Sequence, residues 1–415
     1  MGVAMSKASG ALEKTELGSR EMLDRPHTRF AHLRENAPVS WATAPGLLYG
    51  HGGFLLTRYE DVVEVHSDER FSTDVIRNTS VGKFAWLLPP TIRMLTQTMV
   101  FKDDPDHKRL RTLVHKAFTP KLVATMAPDI AKIAERLADE VEAKRDVDLV
   151  HQFAVRLPLA VIATMLGVAD EDRDKFHLLV EKIGSDSGKR GGMLRELPSA
   201  RRLVKLFEAL IEDRRLRPDE GLISELVRAN EDGDRLSHKE TVAMVFLLLL
   251  AGHDTTANLI GSSVLALIEH PGQQSLLREQ PELLETTGIE ELLRFTSPVA
   301  DGAPRLALQD MEIRGIPIPR GSQLLGSITS ANRDEAVFDN AQALDLTRKP
   351  NKHLAFAFGI HYCLGHQLAR LEGRTALATL LERFPNWELA TPRDHLRYKP
   401  TVSLRGLTTL PIRMY

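Results

Sequence analysis

The sequence predicts a mainly α-helical protein with a small β portion, of the α+β class. Apolar residues recur at helical spacing through Leu122 to Ala143, Arg156 to Leu166, Leu203 to Arg215 and Leu364 to Phe384. Only two stretches read as strands, Leu47 to Thr57 and Met311 to Ile328. With one cysteine in 415 residues, there is no intramolecular disulfide framework, Cys-rich zinc site or iron–sulfur cluster held by this chain alone, so a buried core must hold the fold. Length alone allows roughly two to three domains, or one large one.

The first twenty residues carry no apolar stretch of secretory length and are expected to be a flexible segment. Met1-Gly2-Val3-Ala4-Met5-Ser6 fits the myristoylation pattern, which is short enough to arise by chance. Leu47 to Thr57, LLYGHGGFLLT, reads as a hairpin punctuated by glycine. Asp74 to Asp104 is irregular and holds Phe84, Trp86, Leu87 and two prolines, residues that plug a core or line a ligand cavity. Ser185 to Gly192, SDSGKRGG, reads as a mobile loop between helices.

Ser237 to Glu240 matches a capping box and opens a helix with no proline before Pro271. At a rise of about 1.5 Å per residue it is about 50 Å long. Its segment VAMVFLLLLA is apolar on every face and belongs in an interior. The longest apolar run, Val242 to Gly252, is 11 residues, against roughly 20 for a membrane span. Then Ala251-Gly252-His253-Asp254-Thr255-Thr256 places polar groups in mid-helix. Such a defect marks a polar contact between helices, a helix end, or a site where Asp254 and Thr255 handle protons.

Met311 to Ile328 alternates through Met311, Ile313, Ile316 and Ile318 before a Pro-Arg-Gly-Ser turn. The cysteine follows in Phe356-Ala-Phe-Gly359-Ile-His361-Tyr-Cys363-Leu-Gly365, directly before a helix. A helix N-terminus and a glycine-bent loop favour a thiolate. Three roles suit it: a structural thiol, a nucleophile paired with histidine, or an axial metal ligand. Lys plus Arg at 54 against Asp plus Glu at 56 leaves a net charge of −2, which offers no signal for nucleic acid.

The cysteine run resembles the haem-binding loop of the cytochrome P450 superfamily, Phe-x-x-Gly-x-His/Arg-x-Cys-x-Gly, at Phe356, Gly359, His361, Cys363 and Gly365. Ala251 to Thr256 resembles that family's central-helix motif, and Glu291 with Arg294 its Glu-x-x-Arg pair. The order His107-x-x-x-Arg111, acid–Thr helix, Glu-x-x-Arg, Arg305, Ala331-Asn-Arg-Asp334 and cysteine loop is similar to soluble bacterial members along nearly the whole chain. One departure stands out: the place of the usual third basic residue of the Glu-x-x-Arg network is Ala343, which leaves the network either incomplete or completed by another partner, Arg333 or Arg348.

The resemblance implies a single domain over 1–415, a cytochrome P450-like helical body enclosing haem b (iron protoporphyrin IX) with Cys363 as its metal ligand. It assigns His107 and Arg111 to one propionate, Arg305 and His361 to the other, and leaves His353 as a possible cap of the loop. It assigns Thr255 to a hydrogen bond on the distal side of the iron and Asp254 to a proton relay. The implied reaction inserts one atom of O2 into an apolar organic substrate, hydroxylation first among outcomes. Electrons then come from a ferredoxin-type partner with its reductase, docking near Lys108, Arg109, Arg111, Lys116, Arg370 and Arg374. Leu250, Ala251, Val299, Ala300 and Val402 to Leu404 join the substrate-pocket candidates, with Ser185 to Gly192 as part of a lid. A cytoplasmic protein with no membrane or nucleic-acid partner is expected. A non-catalytic haem-thiolate sensor and a cysteine hydrolase using Cys363 are the competing readings.

Overall fold

The computed structural model describes residues 12–44, 52–78, 93–94, 96–144, 146–183, 192–231 and 233–415. The chain divides into two compact units. One comprises Met1–Phe71, Ala131–Leu157 and Thr255–Tyr415; the other comprises Ser72–Ile130 and Pro158–Asp254.

The first unit holds most of the β portion. Its main sheet runs in the order Lys14–Glu16, Val39–Thr43, Gly53–Leu56, Gln323–Gly326, Arg305–Ala307, with Phe71–Ser72 at the edge. Gly53–Leu56 pairs antiparallel with Val39–Thr43 and parallel with Gln323–Gly326. Its sheet core includes Phe54, Leu56, Ile318, Leu324 and Ile328, and Trp41 meets Phe54 edge-on at 5.3 Å.

The expected hairpin at Leu47 to Thr57 is therefore shifted. Its second strand is present, but its partner is Val39–Thr43, and 45–51 lie outside the described residues. Val39–Thr43 is buried on both faces except at Thr43, so it lacks the alternation that marks a half-exposed strand. Met311 to Ile328 behaves as expected. Met311–Ile313 and Ile316–Ile318 form a hairpin, turning on Arg314 and Gly315 with φ of 49° and 77°.

The flexible first twenty residues are corrected in part. Lys14–Glu16 is a strand parallel to Trp41–Thr43, and Ser19 caps the helix Arg20–Asp24 by accepting from the Met22 N–H at 3.3 Å. Buried Leu17 and Met22 tie this segment down. The myristoylation pattern lies outside the described residues.

In the second unit, helices Asp106–Ala117, Arg173–Glu181, Gly192–Leu216 and Leu222–Arg228 accompany the first half of the long helix. Phe207 and Phe246 meet edge-on at 6.1 Å, and Arg109 pairs with Asp234 and Glu240. The expected helix Leu203 to Arg215 extends to Gly192–Leu216 and carries Pro198 within it. Leu122 to Ala143 is two helices, Pro120–Thr125 and Ala127–Glu142. Most of Ser185 to Gly192 lies outside the described residues, as do 79–92 of the Asp74 to Asp104 segment, which include Phe84, Trp86 and Leu87.

The long helix spans His238–Glu269, 32 residues. Its capping box forms as expected: Ser237 Oγ accepts from the Glu240 N–H at 3.3 Å, and Glu240 accepts from the Ser237 N–H at 2.8 Å. The helix continues unbroken through Ala251 to Thr256, which removes a helix end as the explanation for the polar cluster. By length and composition this helix could cross a membrane, but 61% of its most apolar window is buried inside the protein.

His66, at the end of helix Tyr59–Ser67, lies 4% exposed with both ring nitrogens outside any protein hydrogen bond. A Cβ on Gly302 would stand 2.2 Å from its Nε2. Burial, and then the Arg305 charge, hold this imidazole at about 3, against an ordinary 6.5. The unfolded chain therefore binds the extra proton between those values, so the stability that His66 confers is full above 6.5 and is lost as pH falls. His66→Leu is expected to flatten the loss between pH 6.5 and 5 by about 2 kcal/mol, at about 1.4 kcal/mol per pH unit. Urea unfolding at the two pH values checks this; an unchanged slope refutes it.

Candidate active site

Cys363 carries a half-buried thiol outside any disulfide and closes a loop held by the first unit. Its N–H donates to Phe356 O at 2.9 Å, and the Tyr362 N–H donates to Gly359 O at 3.0 Å. Two residues later the helix His366–Arg383 begins, and its dipole stabilises negative charge at that end. Gly359 has φ of 72°, and a Cβ there would stand 2.5 Å from His66 O, so only glycine lets the two backbones meet. Nothing lies within 4 Å of a Cβ on Gly365, and no residue from 359 to 367 is fully buried. His361 stands in the same loop, and Arg305, 4% exposed on its strand, donates to Ala303 O at 3.1 Å.

Behind the loop sits an ion cluster. Arg294 meets Glu291 through two bonds of 2.7 Å, and both side chains are wholly buried. Arg294 also donates to the carbonyls of Asn332, Ala341 and Ala343 at 2.8, 2.8 and 2.9 Å. Arg348 reaches Glu291 at 3.0 Å, and Asn351 reaches it at 3.1 Å. Arg348 is thus the second cation on Glu291, while position 343 contributes only its carbonyl. Arg333 is not a partner of Glu291; it stacks on Phe295 at 3.9 Å and donates to Phe295 O.

A second layer supports the loop from Glu290. Arg370 grips Glu290 at 2.6 and 2.7 Å while lying over the Phe356 ring at 4.3 Å. His353 Nε2 donates to Glu290 at 2.9 Å, and its Nδ1 accepts from the Ala355 N–H, so it caps the loop as expected. Burial alone raises the Glu290 carboxyl, but the Arg370 and His353 bonds outweigh it and hold the value at about 2.

On the long helix, Ala251 is exposed, and Leu250, Gly252, Asp254 and Thr255 are half-buried. An apolar helix thus leaves an open strip where the polar cluster falls. His253 Nδ1 donates to Leu249 O at 2.9 Å, and its Nε2 stands 3.4 Å from Asp254 Oδ2. In helix Asp106–Ala117, His107 is 2% exposed with Nδ1 at 3.3 Å from Asp104, and Arg111 follows one turn later, half-buried. Burial is the main cause that lowers the His107 imidazole from its ordinary value, and it outweighs Asp104. Thr255, Arg305, His361 and Cys363 belong to the first unit; His107, Arg111 and Asp254 belong to the second.

The cytochrome P450 family model matches residues 48–410. The chain belongs to the cytochrome P450 family. The polyketide biosynthesis cytochrome P450 PksS of Bacillus subtilis is 39% identical, over 95% of this chain and 97% of its own. Its solved structure superposes with a TM-score of 0.88 over 96% of this chain and 98% of that one. The vitamin D(3) 25-hydroxylase of Pseudonocardia autotrophica is also 39% identical, over 99% of both chains. The structure of P450BioI with an acyl carrier protein carrying hexadec-9Z-enoic acid gives a TM-score of 0.85 at 34% identity, over 95% of this chain and 99% of that one.

This P450 is a haem-thiolate monooxygenase that acts on an organic substrate with haem b as cofactor and a redox partner as electron source. The sensor and hydrolase readings fall with that identification. The residues fit the cofactor: the single thiol lies at a helix N-terminus beside open space at Gly365, and no cluster of three metal-ligating side chains competes with it among the described residues. Of the pocket candidates, Val299 and Leu404 form a bridge, and Ala300 N–H donates to Ser403 O at 2.9 Å. Sequence reasoning missed His66 and His253. The first carries no motif signal, and the second occupies the variable position of the acid–Thr motif.

Removing Arg348 leaves the buried Glu291 charge short of one partner. Arg348→Ala is expected to cost about 3 kcal/mol in urea unfolding, whereas Ala343→Ser, which keeps the carbonyl, should cost under about 0.5 kcal/mol. Equal losses would refute the division of roles.

Proposed function

We propose that Cys363 would hold the haem iron as its thiolate ligand and that Asp254 and Thr255 carry the protons of an O2-dependent hydroxylation of an apolar organic substrate. The observation that carries this reading is the lone thiol at a helix N-terminus, in a loop braced by the Glu290 and Glu291 clusters. When bound, haem supplies the iron at which oxygen is activated and the thiolate electron density that favours O–O cleavage. His107, Arg111, Arg305 and His361 would hold its propionates as charge-assisted donors.

The proton chemistry belongs to the chain. A threonine hydroxyl both donates and accepts, so Thr255 Oγ can hold a proton and pass it on. The Leu249 carbonyl only accepts, so His253 Nδ1 must be the donor in their bond. Its Nε2 stands 3.4 Å from Asp254 Oδ2, so the imidazole lies beside the carboxylate assigned to the relay. The apolar pocket candidates on the long helix, Leu250 and Ala251, favour an apolar substrate.

The redox partner is a ferredoxin-type protein, and the enzyme acts in the cytoplasm as a single domain. Ion pairs engage three of the cations assigned to docking: Arg109 with Asp234 and Glu240, Arg370 with Glu290, and Arg374 with Glu285 at 2.7 Å. Phe358 and Ile360, 41% and 47% exposed on the cysteine loop, add an apolar component to that surface.

Reducing the purified protein under carbon monoxide is expected to give the red-shifted Soret band of thiolate-ligated haem, and Cys363→Ser should abolish it. A retained band in the variant overturns the ligand. Thr255→Ala should keep haem and that band while at least half of the electrons consumed are diverted to hydrogen peroxide; unchanged coupling overturns its role. Reduction by ferredoxin should slow several-fold between 50 mM and 300 mM salt, at Debye lengths of about 14 and 6 Å. A salt-independent rate counts against an electrostatic partner.

A further inference from the structure

Within the first unit, away from the cysteine loop in sequence, lies a cavity of about 300 Å³ that none of the functional assignments uses. Its wall includes four arginines, Arg25, Arg333, Arg393 and Arg405, against two carboxylates, Asp24 and Glu269. Both carboxylates already have cationic partners. Glu269 pairs with Arg393, and Asp24 pairs with Arg20 at 2.8 Å and accepts from the Tyr398 N–H at 3.0 Å. Arg25 pairs with Asp394 at 3.2 Å.

Arg333 and Arg405 are the residual charges. Arg333 is 6% exposed; its terminal nitrogens donate to neutral acceptors, Phe295 O at 3.0 Å and Gln342 O at 3.2 Å, and its Nε has no protein partner. Arg405 lies over the Tyr398 ring at 4.0 Å and donates to Leu23 O at 2.8 Å. Neither forms an ion pair with a carboxylate among the described residues. Aromatic faces offset a buried guanidinium by roughly 1–2 kcal/mol, well short of a counter-charge. Ser262 Oγ and His27 Nδ1, on the same wall, are likewise buried without a protein hydrogen bond.

We propose that this cavity binds a small oxyanion, a phosphate or carboxylate carried on a compact organic body. Guanidinium groups match both oxyanions in planar, charge-assisted geometry. Ser262 and His27 supply neutral hydrogen bonds, and Leu265, Ala266 and Phe295 give the body an apolar wall. The volume equals about ten waters at about 30 Å³ each, which exceeds a bare phosphate. The same field acts on His27: burial, then Arg333, Arg405 and Arg34, hold its imidazole well below the ordinary value, and an anion beside it would reverse part of that shift.

The holoenzyme is titrated with phenyl phosphate and, separately, with benzoate, against sodium chloride at matched ionic strength. Melting temperature and the His27 imidazole resonance are followed. Saturable stabilisation by at least one probe at millimolar concentration or below is expected, with an upward shift of the His27 titration and no change in the haem spin state. The probe that binds tighter identifies phosphate or carboxylate as the preferred group. Arg405→Gln should weaken binding at least tenfold, and Ala266→Met should abolish it by filling the cavity, both with the carbon monoxide spectrum intact. The proposal is overturned if neither probe exceeds chloride, if binding leaves His27 unmoved or shifts the spin state, or if both variants bind as the native chain does. Should a variant not fold, the His27 titration of the native enzyme decides alone. None of these readouts depends on Cys363, Asp254 or Thr255 having the roles assigned to them.

Discussion

A single buried carboxylate organises the part of the molecule that matters for chemistry. Glu291 has no exposure, and a lone carboxylate there would be prohibitively unfavourable. Arg294 and Arg348 neutralise it, while Asn351 and the Asp345 N–H satisfy its remaining lone pairs. Once fixed, Arg294 spends its other hydrogens on the carbonyls of Asn332, Ala341 and Ala343. The segment leading to the cysteine loop is therefore threaded around a guanidinium as well as packed through Phe338, Leu346 and Leu354. Asn332 extends the same network: its side-chain oxygen accepts from the Leu354 N–H at 2.7 Å.

A loop that presents a thiolate must be stiff without being fully buried, since a cofactor has to lie against it. Aliphatic packing cannot supply that, because it needs contacts on every side. Charge-assisted bonds can act from one side only, and the Glu290 layer does this. Arg370 holds Glu290 with one face and Phe356 with the other, while His353 ties Glu290 to the backbone two residues on. The open side of residues 359 to 367 is thereby left available.

What could be read from the sequence follows from which constraints are local. The capping box, the length of the long helix, and the short strands within Met311 to Ile328 are dictated by neighbours in the chain, and all form as expected. Val39–Thr43 was missed because a strand buried on both faces has no period to detect, and Lys14–Glu16 because three residues pair only through tertiary context. The motif residues were recognisable because metal ligation and proton transfer restrict residue type. Their partners were not: Arg348 takes the place expected at Ala343 through a contact between residues 57 apart in sequence, and His66 serves by shape, filling the space beside Gly302.

Arginine is used in opposite ways at neighbouring positions of one fold. Arg294 and Arg348 are matched to a carboxylate, so their charge is internal to the structure and is felt as rigidity. Arg333 immediately follows Asn332, whose carbonyl Arg294 holds, yet it is bonded only to neutral oxygens and an aromatic face. Burial and the nearby charges of Arg294 and Arg405 lower its guanidinium to about 9, the direction expected for a cation kept among cations. Like charges gathered without a counter-ion destabilise a fold, and nothing in the cysteine loop or the Glu291 cluster requires this gathering at the cavity. Polar surroundings at Glu291 satisfy the protein itself; at Arg333 and Arg405 the same chemistry is left incomplete on the protein side, and an anion from solution completes it.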